Sequence, residues 1–257
     1  NTHKEIIPSS EKIRLPTNQN QNLIHKYSFL DLLTEINKVT RTSNETEYYD
    51  TIREIIETFF SLMIYDTINI DQGQEEKISI GKFQVTLTTS ENQRNYIYNN
   101  TDITNSTLID LNGCEISLRS FYNISNDTLL YIKKTDVYQE GMLIPKVEYD
   151  VYARLAGLQL EQLNLSVCAN DKINIFTSVN VTGNLDVLNT TSGYYTDICY
   201  RATSDSGSDM TLNDRKIEFV ERNKTVCQDD CVFSGYNYTT KKAKCSCNVK
   251  EASFSFK

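Results

Sequence analysis

Seven cysteines are the side chains best placed to do chemistry in this 257-residue chain: Cys114, Cys168, Cys199, Cys227, Cys231, Cys245 and Cys247. Five of them fall between Ser192 and Cys247, in the pattern Cys227-x3-Cys231 followed by Cys245-x-Cys247. Four thiolates could close a tetrahedral zinc site, but an x3 gap paired with an x1 gap is an atypical zinc knuckle. Two Asn-x-Thr sequons, at Asn223 and Asn237, lie in the same segment and point to an oxidising, secretory compartment where such thiols pair. The expectation is therefore disulfides and no metal. Side chains two apart on a strand share one face, and Cys245 and Cys247 could bond each other only under severe strain. They are expected to bond Cys227 and Cys231 across a hairpin, in an order the spacing leaves open. Cys168 is expected to bond Cys199, with Cys114 left free, buried or bonded outside the chain.

Acid–base chemistry has little to work with. The histidines are His3 and His25, both in the first 27 residues, so Ser-His-Asp and Cys-His mechanisms and an HExxH helix have no candidates in the core. No GxGxxG or GxxxxGK[ST] loop offers to cradle phosphate. With 34 acidic residues, chance pairs of carboxylates are inevitable. A glycan-cleaving pair would need a concave pocket with the two carboxyl groups about 5–9 Å apart. Asp205-Ser-Gly-Ser-Asp209, followed by Asp214, has calcium's preferred oxygen ligands but neither EF-hand spacing nor its bidentate Glu, so a solvated turn is expected there. No residue is assigned a catalytic role, no cofactor is expected, and the chain is read as non-enzymatic.

Asn-x-Ser/Thr occurs at Asn44, Asn99, Asn105, Asn123, Asn126, Asn164, Asn180, Asn189, Asn223 and Asn237. Chance would give about five in a chain of this Asn, Ser and Thr content, so these ten sites are expected to carry N-linked glycans and to lie on the surface. That places the protein in a eukaryotic secretory pathway, secreted or at the cell surface. A net charge of −8, from 34 acidic against 26 basic residues, repels phosphate backbones and anionic headgroups. Nucleic acid is therefore excluded as a partner. No apolar run approaches the ~20 residues of a membrane span, so no direct membrane insertion is expected in this segment. Starting at Asn1, the sequence is read as a mature chain whose signal was removed or as a piece of a longer precursor.

The elements that must position these residues follow from periodicity. Residues 1–27 hold Pro8, Pro16 and a Gln/Asn run, which predicts an extended arm. Residues 28–75 predict a helical hairpin. Ser28 and Asp31 resemble a capping box ahead of an apolar stripe. Thr46 is the expected N-cap of a second helix with Tyr49, Ile52, Ile56, Phe59 and Phe60 on one face. From residue 76 the period changes to two. Strands are predicted at Ile78–Ile80 and Phe83–Leu87 around a turn at Gly81, at Leu129–Ile132, Val147–Ala153, Leu163–Val167 and Ile173–Phe176, and at Lys216–Arg222. Residues 92–107 read as a polar, glycosylated loop, Cys114–Tyr122 as a short helix, and EASFSFK at the end as an alternating strand. The fold class is α+β: an N-terminal helical hairpin, an antiparallel β-rich domain over 76–190, and a Cys-rich segment over 191–257 with a disulfide-stapled C-terminal β-hairpin. That last segment could share one sheet with the part before it.

Three stretches, IPKVEYDVYARL (144–155), LNLSVCANDKINI (163–175) and SGYYTDICYRATSDSGSDMTLNDRKIEF with the cysteine tail, resemble a recurring module. That module belongs to large surface glycoproteins of unicellular eukaryotes, including ciliates, and NGCEISLRSFYNISNDTLLYIKK resembles its upstream part. The resemblance implies a secreted or cell-surface protein, often one module of a longer chain, and assigns no catalytic residue. A weaker similarity, to the motif ending the autoproteolysis domains of adhesion receptors, rests on Cys231-Val-Phe233 and Cys245-Ser-Cys247-Asn248. No His follows Cys247 and no Leu-Ser/Thr cleavage site is present, so self-cleavage is expected to be absent. The function expected is structural or adhesive: a building block of a cell coat or extracellular filament, with copies of itself or neighbouring modules as partners. The alternative is an ectodomain module of a membrane-anchored receptor.

Overall fold

A computed structural model describes residues 27–39, 45–62, 65–99, 106–138, 144–181, 183–221, 226–228 and 230–249. The arm before Tyr27, the closing EASFSFK segment, and the sequons at Asn44, Asn105 and Asn223 lie outside these residues.

The elements run α1 (Phe29–Ile36), α2 (Glu45–Leu62), α3 (Ile68–Asp71), β1 (Glu76–Ile80), β2 (Phe83–Thr89), α4 (Ser90–Tyr98), β3 (Leu108–Asp110), α5 (Gly113–Phe121), β4 (Tyr131–Val137), β5 (Lys146–Ala153), β6 (Glu161–Gln162), β7 (Lys172–Ser178), α6 (Gly193–Thr196), α7 (Leu212–Glu221), β8 (Cys231–Asn237) and β9 (Lys242–Asn248). Short 3-10 turns cover Leu165–Cys168 and Leu185–Leu188. All strand pairs are antiparallel, in one sheet ordered β1-β2-β4-β5-β6 and another ordered β3-β7-β9-β8. The chain is α+β, with its last two strands stapled by disulfides.

Three layers result from the two-residue alternation of the first sheet. Ile78, Ile80, Phe83, Val85, Leu87, Tyr131 and Tyr152 face α1 and α2, where Leu32, Ile36, Ile52, Ile56, Phe59 and Phe60 close one apolar cluster. Ile132, Val147 and Val151 face the other way, onto Ile109, Ile173, Ile175, Ala243, Cys245 and Cys247 of the second sheet, with Leu118 of α5 at the side. Gly81 turns the β1–β2 hairpin at φ +55°, beneath Tyr49, whose Oη would stand 2.6 Å from a Cβ at that position.

Five local expectations need correction. Residues 90–98 of the supposed loop form α4: Thr89 Oγ1 accepts the Asn92 N–H at 3.0 Å, and the buried Gln93 amide accepts Ile109 N–H at 3.0 Å. Gln93 is polar because it satisfies a backbone N–H of β3. Of the strand expected at Lys216–Arg222, residues 216–221 are instead part of helix α7, begun by a reciprocal cap in which Thr211 N–H meets Asp214 Oδ2 at 2.9 Å and Asp214 N–H meets Thr211 Oγ1 at 3.2 Å, and Arg222 lies outside the described residues. Leu163–Val167 is not a strand either, since Asn164 Oδ1 accepts Ser166 N–H at 2.9 Å and starts a 3-10 turn. Thr46 lies inside α2 and not at its cap. The strand expected at Leu129–Ile132 is β4, which begins at Tyr131 and continues through three charged residues to Val137. The Cys-rich segment joins the part before it, because β9 pairs with β7 from Lys172↔Asn248 to Ser178↔Lys242.

Candidate functional site

The cysteines form three disulfides: Cys114–Cys168, Cys227–Cys245 and Cys231–Cys247, spanning 54, 18 and 16 residues. The expected Cys168–Cys199 bond is wrong, and Cys114 is not free. Cys114 opens α5 and Cys168 ends the 3-10 turn packed against it, at a Cα separation of 5.0 Å, so their bond clamps helix to turn. Cys199 is instead the free thiol, exposed, in a turn where its N–H donates to Asp197 Oδ1 at 2.8 Å. Cys245 and Cys247 do share the inward face of β9. Cys231 lies directly opposite Cys247 in the β8–β9 register. Cys227 reaches Cys245 because residues 226–228 fold back over the sheet, where Val226 O accepts Thr177 Oγ1–H at 2.9 Å and Gln228 Oε1 accepts Val147 N–H at 2.9 Å. The four cysteines expected to pair across the hairpin are thus covalently bonded, as Cys227–Cys245 and Cys231–Cys247.

Seven of the ten sequon asparagines lie among the described residues. Asn99, Asn123, Asn126, Asn164, Asn180 and Asn237 are exposed, and Asn189 is half-buried. Two groups stand out. Asn123, Asn126 and Asn164 gather near the end of α5: Arg119 there donates to Ser125 O and Thr128 O at 2.8 and 2.9 Å, and Asn164 N–H donates to Tyr122 Oη at 2.8 Å. Asn180 and Asn237 sit together at one end of the second sheet, where Val179 N–H bonds Lys241 O.

Three charged clusters were not anticipated. Lys133, 2 % exposed, stands 2.6 Å from both Glu57 of α2 and Asp150 of β5. Burial alone would lower its pKa, but Asp150, Tyr152 and Glu57 more than offset this and raise it. Both carboxylates are engaged by this one shared ammonium, a buried ion-pair arrangement that is costly to break from either side. The recess beside them, lined by Arg53, Phe83, Thr135 and Glu148, measures about 30 Å³, room for water and too little for a sugar ring. This cluster ties the helical layer to the sheet. Lys134, on the opposite face, lies 3.4 Å from Asp136, and burial lowers its pKa more than Asp136 raises it. A strand alternating sides explains both: the Lys133-Lys134 doublet sends one ammonium to each layer. Asp150, on the same side of its strand as Tyr152, was the signal in the sequence that could have found the first.

The third cluster surrounds Arg215, fully buried between the Tyr194 and Tyr200 rings, 5.4 and 5.7 Å from their centroids. Its guanidinium donates to Tyr194 O at 2.6 Å, Asp197 O at 3.1 Å and Thr211 O at 3.2 Å, which joins α6, α7 and the Cys199 turn. Asp214, beside the acidic stretch expected to be a solvated turn, serves the α7 cap, which holds its carboxyl below the usual range. Among the described residues, no group of three or more His, Cys, Asp or Glu could hold a metal ion.

No family model, curated protein or solved structure matches this chain.

Proposed function

We propose that the chain is a secreted, N-glycosylated structural or adhesive module, non-enzymatic, that builds a cell-surface coat or extracellular filament. The observation that carries this reading is the coincidence of sequons with surface. Six of seven described sequon asparagines are exposed, and they flank a core whose cysteines are paired. Three disulfides fit an oxidising, extracellular setting. Among the described residues no helix is long and apolar enough to cross a membrane. The charged clusters favour a scaffold over a catalyst, because each charge is used to fasten one layer or helix to another.

Head-to-tail contact between copies is the assembly we favour, with residues 1–27 donating a strand to a sheet edge of the next copy. Two seven- and five-residue edge strands, β8 and β1, are available in the topology as acceptors. The donor segment lies outside the described residues except for Tyr27, which bridges to Tyr65. The chain, expressed in a secreting eukaryotic cell, is expected to lose mass on glycosidase treatment and to assemble in electron micrographs. Secretion without any glycosidase-sensitive mass would overturn the glycoprotein reading. Undiminished assembly after deletion of residues 1–26 would overturn strand donation alone.

A further inference from the structure

Four buried side-chain polar atoms among the described residues have no hydrogen-bond partner: Gln84 Oε1, Thr86 Oγ1, Asp136 Oδ2 and Tyr149 Oη. They are neighbours. Register places Thr86 opposite Lys134 and Lys134 opposite Tyr149, forming one row across β2, β4 and β5, while Gln84 lies opposite Asp136 in the next row. Alternation turns all of them toward the second sheet, because Val85, Leu87 and Tyr152, of opposite parity, belong to the helix-side cluster. Ile132, Val147 and Val151, of the same parity, belong to the cluster between the sheets.

At the centre of this patch Lys134 and Asp136 are 1 % and 0 % exposed. Lys134 Nζ donates to Thr107 Oγ1 at 2.9 Å and to Thr107 O, and Thr107 Oγ1 donates to Asp136 Oδ1. An ammonium has three protons, so one remains. Asp136 Oδ2 pairs with this ammonium at 3.4 Å, longer than a charge-assisted bond of about 2.7–2.9 Å, which leaves that proton and that lone pair room for a further partner.

The unpartnered set consists of two acceptors, Asp136 Oδ2 and Gln84 Oε1, and two hydroxyls that can donate. A water molecule, which donates two bonds and accepts two, complements it. An anion would face the Asp136 carboxylate, and a metal ion would face the Lys134 ammonium with a single carboxylate to hold it. With strands about 4.8 Å apart, a patch three strands wide exceeds the reach of one molecule. We propose an internal water site at this polar patch in the seam between the two sheets, where at least two buried waters bridge Asp136, Gln84, Thr86 and Tyr149 around Lys134.

Thr86→Val and Tyr149→Phe test this, since each keeps the side chain's shape and removes a hydroxyl. If the hydroxyls bond buried water, each variant lowers Tm by about 2–4 °C. If they are truly unpartnered, deleting a desolvated hydroxyl leaves Tm unchanged or raises it, which overturns the proposal. A crystal structure of the wild-type chain supplies a readout that does not depend on the variants' stability. Ordered water within hydrogen-bonding distance of Asp136 Oδ2 supports the site; a dry space, or an ion in its place, overturns it.

Discussion

The two apolar clusters of this protein are held together by different means. The first, between the helices and the inner sheet, contains no cysteine and relies on aromatic packing, with Phe59, Phe60 and Tyr65 in edge or tilted contact, and on the Lys133 ion cluster. The second contains Cys114, Cys168, Cys227, Cys245 and Cys247, with Cys231 packed against it, and so contains every disulfide. The difference follows from what each layer has available. The first covers its sheet with an 18-residue helix and an eight-residue one. The second has only the nine-residue α5 and a β8 strand that exposes Val232, so it closes its core covalently.

Reduction should therefore separate the regions. Loss of Cys114–Cys168 is expected to cost about 4 kcal/mol, and loss of either hairpin disulfide about 3 kcal/mol. Hydrogen exchange under reductant should accelerate first in β7, β8, β9 and α5, while β1, β2 and α2 stay protected. Equal acceleration in both regions would erase the contrast. Lys133→Met strikes the other side. It strands Glu57 and Asp150 without a cation and is expected to destabilise the fold by about 3–5 kcal/mol in oxidised and reduced protein alike, measured by chemical denaturation.

Alkali offers a gentler comparison. Burial, and donation to Asp71 Oδ1 at 2.7 Å, push the Tyr131 hydroxyl up to about 12. The folded state keeps that proton longer than the unfolded chain, so its contribution is intact below pH 10 and is lost as pH rises toward 12. Tyr152 and Lys133, also raised, act in the same direction. The first cluster should therefore lose protection before the second between pH 10 and 12, although Tyr149, raised by burial at the seam, will join it. A reversed order in pH-dependent exchange would contradict this. The smallest effect belongs to Cys199→Ser: the thiol is exposed and free, and the variant's Tm should move by no more than about 2 °C.

Periodic segments were legible in the sequence. The Ser28–Asp31 box, the α2 stripe, the Gly81 hairpin and the α5 helix declare themselves through local spacing. What stayed hidden depends on distant partners. Gln93 reads as loop until β3 supplies an N–H for it to accept, and Lys133 reads as the end of a strand until Glu57 and Asp150 arrive from 76 residues before and 17 after. The cysteines divide the same way. The hairpin pairs lie 18 and 16 residues apart and were foreseen as a set, whereas Cys114 meets Cys168 only after α5 docks on the turn that ends at Cys168. Thr211-x-x-Asp214 was a visible cap that the alternation of Ile217 and Phe219 concealed.

The Cys114–Cys168 bond also sets how far the chain can be drawn out. Pulled from outside the two residues, an intact bond transmits force from sulfur to sulfur, and the 54-residue interval between them never becomes taut. At about 3.5 Å per residue, that withholds on the order of 180 Å of contour from extension. The β4–β5 hairpin lies wholly within the sheltered interval, while β2, its neighbour in the same sheet, lies on the loaded path. A load would therefore meet a short tether with slack stored behind a covalent shunt, and a reductant would release that slack in a single step.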